Sequence, residues 1–146
     1  MSTGGIIIDC DAVPFVPEGS IVLPAHQQIR SRARGTFAWD PKRIAYWFAS
    51  GQFRGRGARG DHVRTSIRGN PVVPSCVLDQ MLAEPSIIPA ECCDVDLYFW
   101  GTLFAFPCGN VFVRYLTYRR RKFLADWRGL GGLWSKSAPA AILSSQ

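Results

Sequence analysis

The stretch LYFWGTLFAFPCGNVFVRYLTYRRRKFLADW, residues 97–127, contains three apolar segments separated by two turns. Residues 97–106 are apolar at both odd and even positions, which is typical of a central strand buried on both faces. Residues 111–118 follow the turn formers PCGN, and residues 123–127 alternate in polarity after RRRK. Because short turns join antiparallel neighbours, the stretch predicts a C-terminal three-stranded meander.

Upstream of the meander, three segments carry helix signals. Asp40-Pro41 begins the first, since Asp caps free N–H groups, Pro suits the first helical position, and apolar residues follow at helical spacing. Asp61 begins a second helix that runs through Arg68, and Ser75 begins a third that a proline ends. The sequence therefore predicts an α+β fold with about three short helices packed on an antiparallel sheet of about three to five strands.

Length and composition favour a single domain over residues 1–146. A chain of 146 residues with 47% hydrophobic and 19% charged side chains can bury a core without metal ions or disulfides. We expect loose termini at residues 1–4 and 135–146. The N-terminus does not have the pattern of a secretory signal, and no apolar run approaches the roughly 20 residues of a membrane helix. A membrane partner is therefore not expected.

The cysteines indicate a reducing compartment. Their number, five, is odd, and no export signal precedes them, so reduced thiols in the cytoplasm are the expectation. Cys92 and Cys93 are adjacent and cannot form the C-x₂-C pair of a zinc site. The sequence therefore predicts neither a metal site nor another cofactor.

Several blocks of the chain follow one another in the order of a known family. They are IDCDAVPFVPEG (8–19), FAWDP (37–41), CVLDQMLAEPSIIPAE (76–91), FWGTLF (99–104), VRYL (113–116) and PAAIL (139–143). Together they resemble an uncharacterised family of short bacterial proteins over most of the chain. The resemblance implies the family's element order and one cytoplasmic domain, and it implies no catalytic residues.

The chain departs from this family at two places. Cys92-Cys93 stand where the family has a Trp after its IPEE block, and the turn after VRYLTY holds three consecutive arginines. A function built on that turn would therefore belong to this member and not to the whole family.

Charge is segregated along the chain. Residues 30–69 hold ten basic and two acidic side chains, and residues 114–146 hold seven basic and one acidic. The remaining two blocks, 1–29 and 70–113, hold acidic side chains and no lysine or arginine. Most of the bases are arginines, whose guanidinium groups bind phosphate or carboxylate through two hydrogen bonds. The pattern predicts basic surface patches.

The glycine-rich stretch GQFRGRGARGDHVR (51–64) and the arginine-rich turn are the first candidate site. If these segments meet, they would neutralise several phosphates, so nucleic acid is the expected partner, bound by its phosphates more than by its bases. Phe53, Tyr115 and Tyr118 would then stack on bases. The predicted nucleic-acid-binding residues are Arg54, Arg56, Arg59, Arg64, Arg68, Arg119, Arg120, Arg121 and Lys122. On this interpretation, the chain is a small non-enzymatic binding protein.

A protein-interaction function remains open. The arginines would then bind an acidic protein, or the acidic region 79–96 and exposed Trp127 and Trp134 would contact a partner. An inhibitor or an assembly component would fit this description. The oligomeric state stays open as well.

A third function is a small metal-dependent phosphotransfer enzyme. IIIDCDAV places Asp9 and Asp11 after a buried strand, and it resembles the D-x-D of haloacid-dehalogenase-type phosphotransferases. That resemblance implies that Asp9 is a nucleophile, that Asp11 is an acid/base, and that the carboxylates hold Mg²⁺. The chain lacks the family's hydroxyl residue after the motif and its later acidic motif, and it is short for that fold.

Overall fold

A computed structural model describes residues 5–145, and it contains two α-helices and eleven strands. The helices are α1 (Gly60–Ser66) and α2 (Ser75–Ala83). The strands are β1 (Ile7–Asp9), β2 (Ile21–Val22), β3 (Thr36–Ala38), β4 (Ile44–Trp47), β5 (Ala58–Arg59), β6 (Leu97–Tyr98), β7 (Phe104–Ala105), β8 (Val111–Arg119), β9 (Lys122–Gly129), β10 (Leu133–Trp134) and β11 (Ala140–Leu143). Short 3₁₀ helices lie at Ala25–Gln27, Pro41–Arg43, Pro85–Ile87 and Ala90–Asp94. The α+β class is confirmed.

The main sheet has seven strands and is organised around β8. β9 pairs with β8 along its whole length, from Phe112 opposite Gly129 to Arg119 opposite Lys122. β6 and β7 both pair with the opposite edge of β8. Beyond β6 lie β11, which is parallel to it, and then β4, and beyond β7 lies β2. β1 with β3, and β5 with β10, form two separate antiparallel pairs.

The predicted long strand 97–106 is interrupted in the structure. Its two ends form β6 and β7, while the backbone between them leaves the sheet and packs against the segment before α2. At Gly101 a side chain would overlap the backbone of Val73 and Pro74, so the close approach requires glycine. The predicted C-terminal three-stranded meander on an antiparallel sheet is therefore not confirmed, because β2, β4 and β11 extend the same sheet and β11 is parallel to β6.

The prediction of a helix after Asp40 is wrong. The structure therefore contains two α-helices where about three were predicted. Asp40 does accept a hydrogen bond from the Lys42 N–H, at 3.0 Å, and a helical turn begins there. The turn ends at Arg43 because Ile44–Trp47 pairs with β11. Ile44 and Tyr46 pack in one core cluster and Trp47 in the other, as expected for the alternating faces of a strand.

The C-terminal segment 135–146, where we expect a loose terminus, contains one strand, β11. β11 lies between β4 and β6, and Ala140 and Ala141 are buried. Small side chains suit this place because the sheet is covered on both faces there. The other segment expected to be loose, 1–4, lies outside the described residues.

Two hydrophobic clusters cover the two faces of the main sheet. The first joins α2, β1 and β3 to Leu116 and Phe99, and the second joins α1 to Val113, Tyr115 and the indole rings of Trp100 and Trp134. Alternate residues of β8 thus enter opposite clusters. Among the helices that the structure describes, none is long and apolar enough to cross a membrane.

Candidate anion-binding groove

Two adjoining cavities form a groove on the surface between α1 and α2. The first, named here the α2 cavity, has a volume of about 710 Å³ and is lined in part by Pro74 and Cys76 at the start of α2. The second, the α1 cavity, has a volume of about 700 Å³ and is lined in part by Arg64 and Arg68. They share a wall made of His26, Gln28, Ile29 and Arg30. Together they are called the arginine groove.

Gln28 fixes this shared wall to the main sheet. Its side-chain amide donates to the carbonyls of Leu23 and Leu103, at 3.0 and 2.9 Å, and its oxygen accepts from the Leu103 N–H at 2.7 Å. Ile29 is buried in the second core cluster. The wall is therefore held by three hydrogen bonds and one apolar anchor, which keeps the neighbouring Arg30 at the boundary between the two cavities.

The guanidinium group of Arg32 is held by contacts within the protein, so it has little freedom to bind a ligand. One guanidinium nitrogen donates to the carbonyls of Cys10 and Ala33, at 3.1 and 3.0 Å, and another lies 3.3 Å from a carboxylate oxygen of Asp11. Arg30 and Arg34, which flank it, are exposed, and a guanidinium nitrogen of Arg34 donates to the Arg30 carbonyl at 3.3 Å.

Arg64 and Arg68 line the opposite side of the groove. Arg64 lies on α1 and donates to the Gln27 carbonyl at 3.0 Å, which ties α1 to the shared wall. Its pKa is lowered by partial burial and by the neighbouring charge of Arg68. Two like charges held this close favour an anion between or beside them.

The lining of the groove contains no carboxylate in the part of the chain described. Arg30, Arg32, Arg34, Arg64, Arg68 and His26 line it, and no Asp or Glu does. The ion pairs within residues 5–145 involve Arg32, Arg59, Arg114 and Arg119. Arg30, Arg34, Arg64 and Arg68 are thus four positive charges around one concavity without a carboxylate partner of their own.

The glycine-rich loop 51–64 is folded and contributes one arginine to the groove. Gly57 has a φ of 71° and lies against the Trp134 backbone, and Gly60 lies against the Leu130 carbonyl, so neither site has room for a side chain. Arg54 and Arg56 are exposed, and Arg59 lies 3.7 Å from Asp61 in an exposed pair. Of the arginines predicted in this region, Arg64 and Arg68 line the groove, whereas Arg54, Arg56 and Arg59 do not.

The arginine-rich turn between β8 and β9 lies outside the arginine groove. β9 is 8 residues long. The turn is therefore about 23 Å along the strand from the end that contacts Gly60. Arg119 contacts Asp126 and the Tyr115 hydroxyl, each at 3.3 Å. Arg120 and Arg121 have φ values of 52° and 64° and are exposed together with Lys122. None of the residues of this turn lines the arginine groove.

The aromatic residues predicted to stack on bases are not in the groove. Tyr115 is buried and stacks on Tyr98 with ring centroids 4.5 Å apart, and burial raises its pKa. Phe53 is exposed but packs on Phe48, and Tyr118 packs on Phe123. Recognition in the groove would therefore depend on charge and on the apolar cavity wall.

Sequence reasoning missed Arg30 and Arg34. The segment RSRAR (30–34) was counted only as part of the basic block 30–69. Arg30 and Ser31 form a turn in which the Arg32 N–H donates to the Ile29 carbonyl at 3.2 Å, so no strand or helix periodicity in the sequence indicates the site.

Asp9 and Asp11 stabilise the chain reversal after β1. A carboxylate oxygen of Asp9 accepts from the Asp11 N–H, and a carboxylate oxygen of Asp11 accepts from the Gly35 N–H, both at 2.8 Å. Asp11 also pairs with Arg32. Residues 5–145 contain no cluster of three or more His, Cys, Asp or Glu side chains arranged to hold a metal ion. In this geometry, the two carboxylates stabilise the local structure.

The acidic region and the tryptophans proposed for protein contacts are partly internal. Asp79 pairs with Arg114 at 2.6 Å, and Asp96 accepts from the Thr117 hydroxyl at 2.7 Å. Trp134 was expected to be exposed, but it is fully buried against Tyr98 and Trp100, whereas Trp127 is 46% exposed.

Comparisons with known proteins give no match: no family model matches the chain, and no match was found among curated proteins or solved structures. The resemblance of its sequence blocks to a bacterial family stays a prediction. Function is therefore inferred from the arginine groove and its charges.

Proposed function

We propose that this protein binds nucleic acid, and that the phosphates lie in the arginine groove. One observation carries the proposal: five arginines line two adjoining cavities, four of them have no carboxylate partner in the described chain, and no carboxylate lines either cavity. Uncompensated arginines around a concavity create a positive potential that attracts a polyanion.

The number of available charges sets the expected salt dependence. If Arg30, Arg34, Arg64 and Arg68 each neutralise one phosphate of a single strand, log K falls with log salt with a slope of about −3. Raising the salt from about 50 mM to about 200 mM then weakens binding by roughly 50-fold. This change in affinity is small enough that one binding method can measure it over the whole range of salt concentrations.

A single strand suits the groove better than a duplex. Cavities of about 700 Å³ accept a nucleotide-sized group. A duplex carries its phosphates on a wide convex surface that cannot enter a concavity of this size. The apolar part of the α2 cavity, which includes Leu23 and Ile29, would cover part of a base without reading its edges.

The test is a binding titration of labelled single-stranded and duplex oligonucleotides at the two salt concentrations. Arg64→Ala/Arg68→Ala removes two groove charges and is expected to weaken single-strand binding by about 30-fold, since two charge-assisted contacts contribute about 2 kcal/mol together. Arg54→Ala/Arg56→Ala removes the same charge from the exposed loop outside the groove and serves as the matched control.

The two variants distinguish the groove from the loop. Retention of binding in the loop variant, with loss in the groove variant, supports the proposal. Equal losses would mean that overall charge and not the groove binds the strand. No salt-dependent binding by the unmodified protein, after nuclease treatment and a high-salt wash, would reject the function.

A second candidate function is protein binding, and exposed apolar side chains favour it. Val13 is 92% exposed, Phe15 59% and Ile21 62%, all within one N-terminal segment. An acidic protein that also contacted the groove would bury this apolar segment. It would give a complex that resists nuclease and is lost in Val13→Asp/Ile21→Asp, whereas a nucleic-acid complex would be unaffected by these changes.

A further inference from the structure

We propose that the α2 cavity is a binding site for a phosphate monoester, namely that of a nucleotide. The monoester would come either from a free nucleotide or from the 5′ end of a strand, which share the same dianionic group. Where the ligand is a strand, the inference rests on the proposed function, because the α1 cavity would then hold the nucleotide that follows the 5′ end.

The charge of the α2 cavity is the first reason. Arg30, Arg32 and Arg34 line it with His26, while Asp11 compensates only Arg32. Two uncompensated guanidinium groups on one wall match the charge of a monoester, which is about −1.5 to −2 at neutral pH, better than the single charge of an internal phosphate.

Thr102 is the second reason, and it is independent of the arginines. Thr102 lines the cavity, and the residue is only 7% exposed. The hydroxyl oxygen accepts from the Ser75 N–H at 3.0 Å, so the oxygen is fixed in place. The hydroxyl donates no hydrogen bond within residues 5–145, so it has one donor left for a ligand oxygen.

The first turn of α2 adds one more donor. Cys76 lines the cavity, and its position in the first turn leaves its N–H without an intrahelical acceptor. The two adjacent amides are occupied, since the Ser75 N–H binds Thr102 and the Val77 N–H binds the Pro74 carbonyl. The cavity thus combines two arginines, one hydroxyl and one amide as donors.

The rest of the cavity is apolar and large enough for a nucleoside. Its walls include Val22, Leu23, Ile29 and Pro14, and its volume of about 710 Å³ lies within the usual range for small-molecule sites. A bare inorganic anion would leave this surface uncovered. A nucleoside monophosphate would cover it with the base and sugar while the phosphate contacts the donors.

The test compares one short single-stranded oligonucleotide with and without a 5′-phosphate, together with adenosine 5′-monophosphate and inorganic phosphate. The 5′-phosphorylated strand is expected to bind about tenfold more tightly than the 5′-hydroxyl strand. The mononucleotide is expected to bind more tightly than inorganic phosphate, because it also covers the apolar wall.

Two arginine variants locate the effect. Arg34→Ala, which changes the α2 cavity alone, should abolish the preference for the 5′-phosphate, and Arg30→Ala should do the same if Arg34→Ala folds poorly. Arg68→Ala, which changes the α1 cavity alone, should weaken both strands equally and keep the preference. Thermal unfolding checks that each variant is folded.

The failure of this inference is distinguishable from the failure of the proposed function. Equal binding of the two strands, with no binding of the mononucleotide, overturns the monoester site and leaves strand binding intact. Binding of the mononucleotide without binding of either strand supports the site and rejects the nucleic-acid function. A preference that survives both Arg30→Ala and Arg34→Ala also overturns the site.

Discussion

The arginines of the β8–β9 hairpin and those of the groove have different partners. In the hairpin, Arg114 pairs with Asp79 in a largely buried contact and Arg119 pairs with Asp126 at the surface, so two charges are neutralised by carboxylates of the chain. In the groove, four arginines have no carboxylate partner in the described chain, although two of them come from RSRAR (30–34), which is less conspicuous than the RRRK turn. The difference teaches that local density of arginine in a sequence does not identify a binding surface. Whether arginines converge on one surface without carboxylate partners depends on the fold.

The largest effect is expected from breaking the internal pair of the hairpin. Asp79→Ala leaves the 5% exposed Arg114 without its carboxylate and also removes the acceptor of the Phe15 N–H. Because an unpaired buried charge is costly, the free energy of unfolding should fall by about 3 kcal/mol in urea denaturation. Asp126→Ala, at the exposed pair, is the control and should cost less than about 1 kcal/mol. Equal losses would end the distinction between internal and exposed pairs.

The second effect concerns the turn of the same hairpin. Arg120→Asn/Arg121→Gly should stabilise the protein by about 1 kcal/mol, because both residues have left-handed φ values that Asn and Gly tolerate better. Strand binding should remain unchanged, since the turn lies away from the groove. Thermal unfolding and the oligonucleotide titration measure the two outcomes. A loss of binding comparable to that of the Arg64→Ala/Arg68→Ala variant would return the turn to the binding site.

The third effect tests whether the floor of the α2 cavity is desolvated. Burial raises the pKa of Cys76 to about 11, and burial followed by the charge of Asp11 raises that of Cys10. A thiol whose pKa is raised in the folded state stabilises the folded protein. This contribution is complete below the unfolded-state pKa of about 9 and is lost as the pH rises toward 11.

Unfolding measured at pH 8 and pH 10 should therefore show a loss of about 1 kcal/mol from Cys76. Cys76→Ala should reduce the difference, and Cys93→Ser, at an exposed thiol, should not. A pH dependence unaffected by Cys76→Ala would mean that water reaches the cavity floor.

The smallest expected effect is a change in the salt dependence of strand binding. Arg68→Ala should lower the magnitude of the log K against log salt slope by about 0.7 for a single strand, because one phosphate contact is lost. Arg56→Ala, in the exposed loop, is the matched control and should leave the slope unchanged. Equal slopes for the two variants would show that Arg68 does not contact a phosphate.

Local patterns predicted the elements that depend on neighbours in sequence. The helix from Ser75 and the β8–β9 hairpin follow from periodicity and turn residues, and the structure contains both. The segment after Asp40 shows the limit: its cap is present, but pairing with a strand about 100 residues later in the chain overrides helical spacing.

The groove was only half predictable for the same reason. Arg64 and Arg68 stand in a conspicuous basic stretch, and they were selected. Arg30 and Arg34 become part of a site only because Gln28 and Ala33 attach their segment to Leu103 and Val72. The missing carboxylates are a property of three-dimensional neighbours, and no local pattern in the sequence reports them.

The position of β11 has a consequence for biosynthesis. β4 is joined to the main sheet only through β11, and Arg43 donates to the Ser144 carbonyl across 101 residues of chain. While the protein emerges from the ribosome, residues 44–47 have no strand to pair with until residue 143 has been made. Pairing of β4 with the rest of the sheet therefore requires β11, and we expect this long-range closure to be slow. A nascent chain stalled before residue 140 should expose this gap to chaperones.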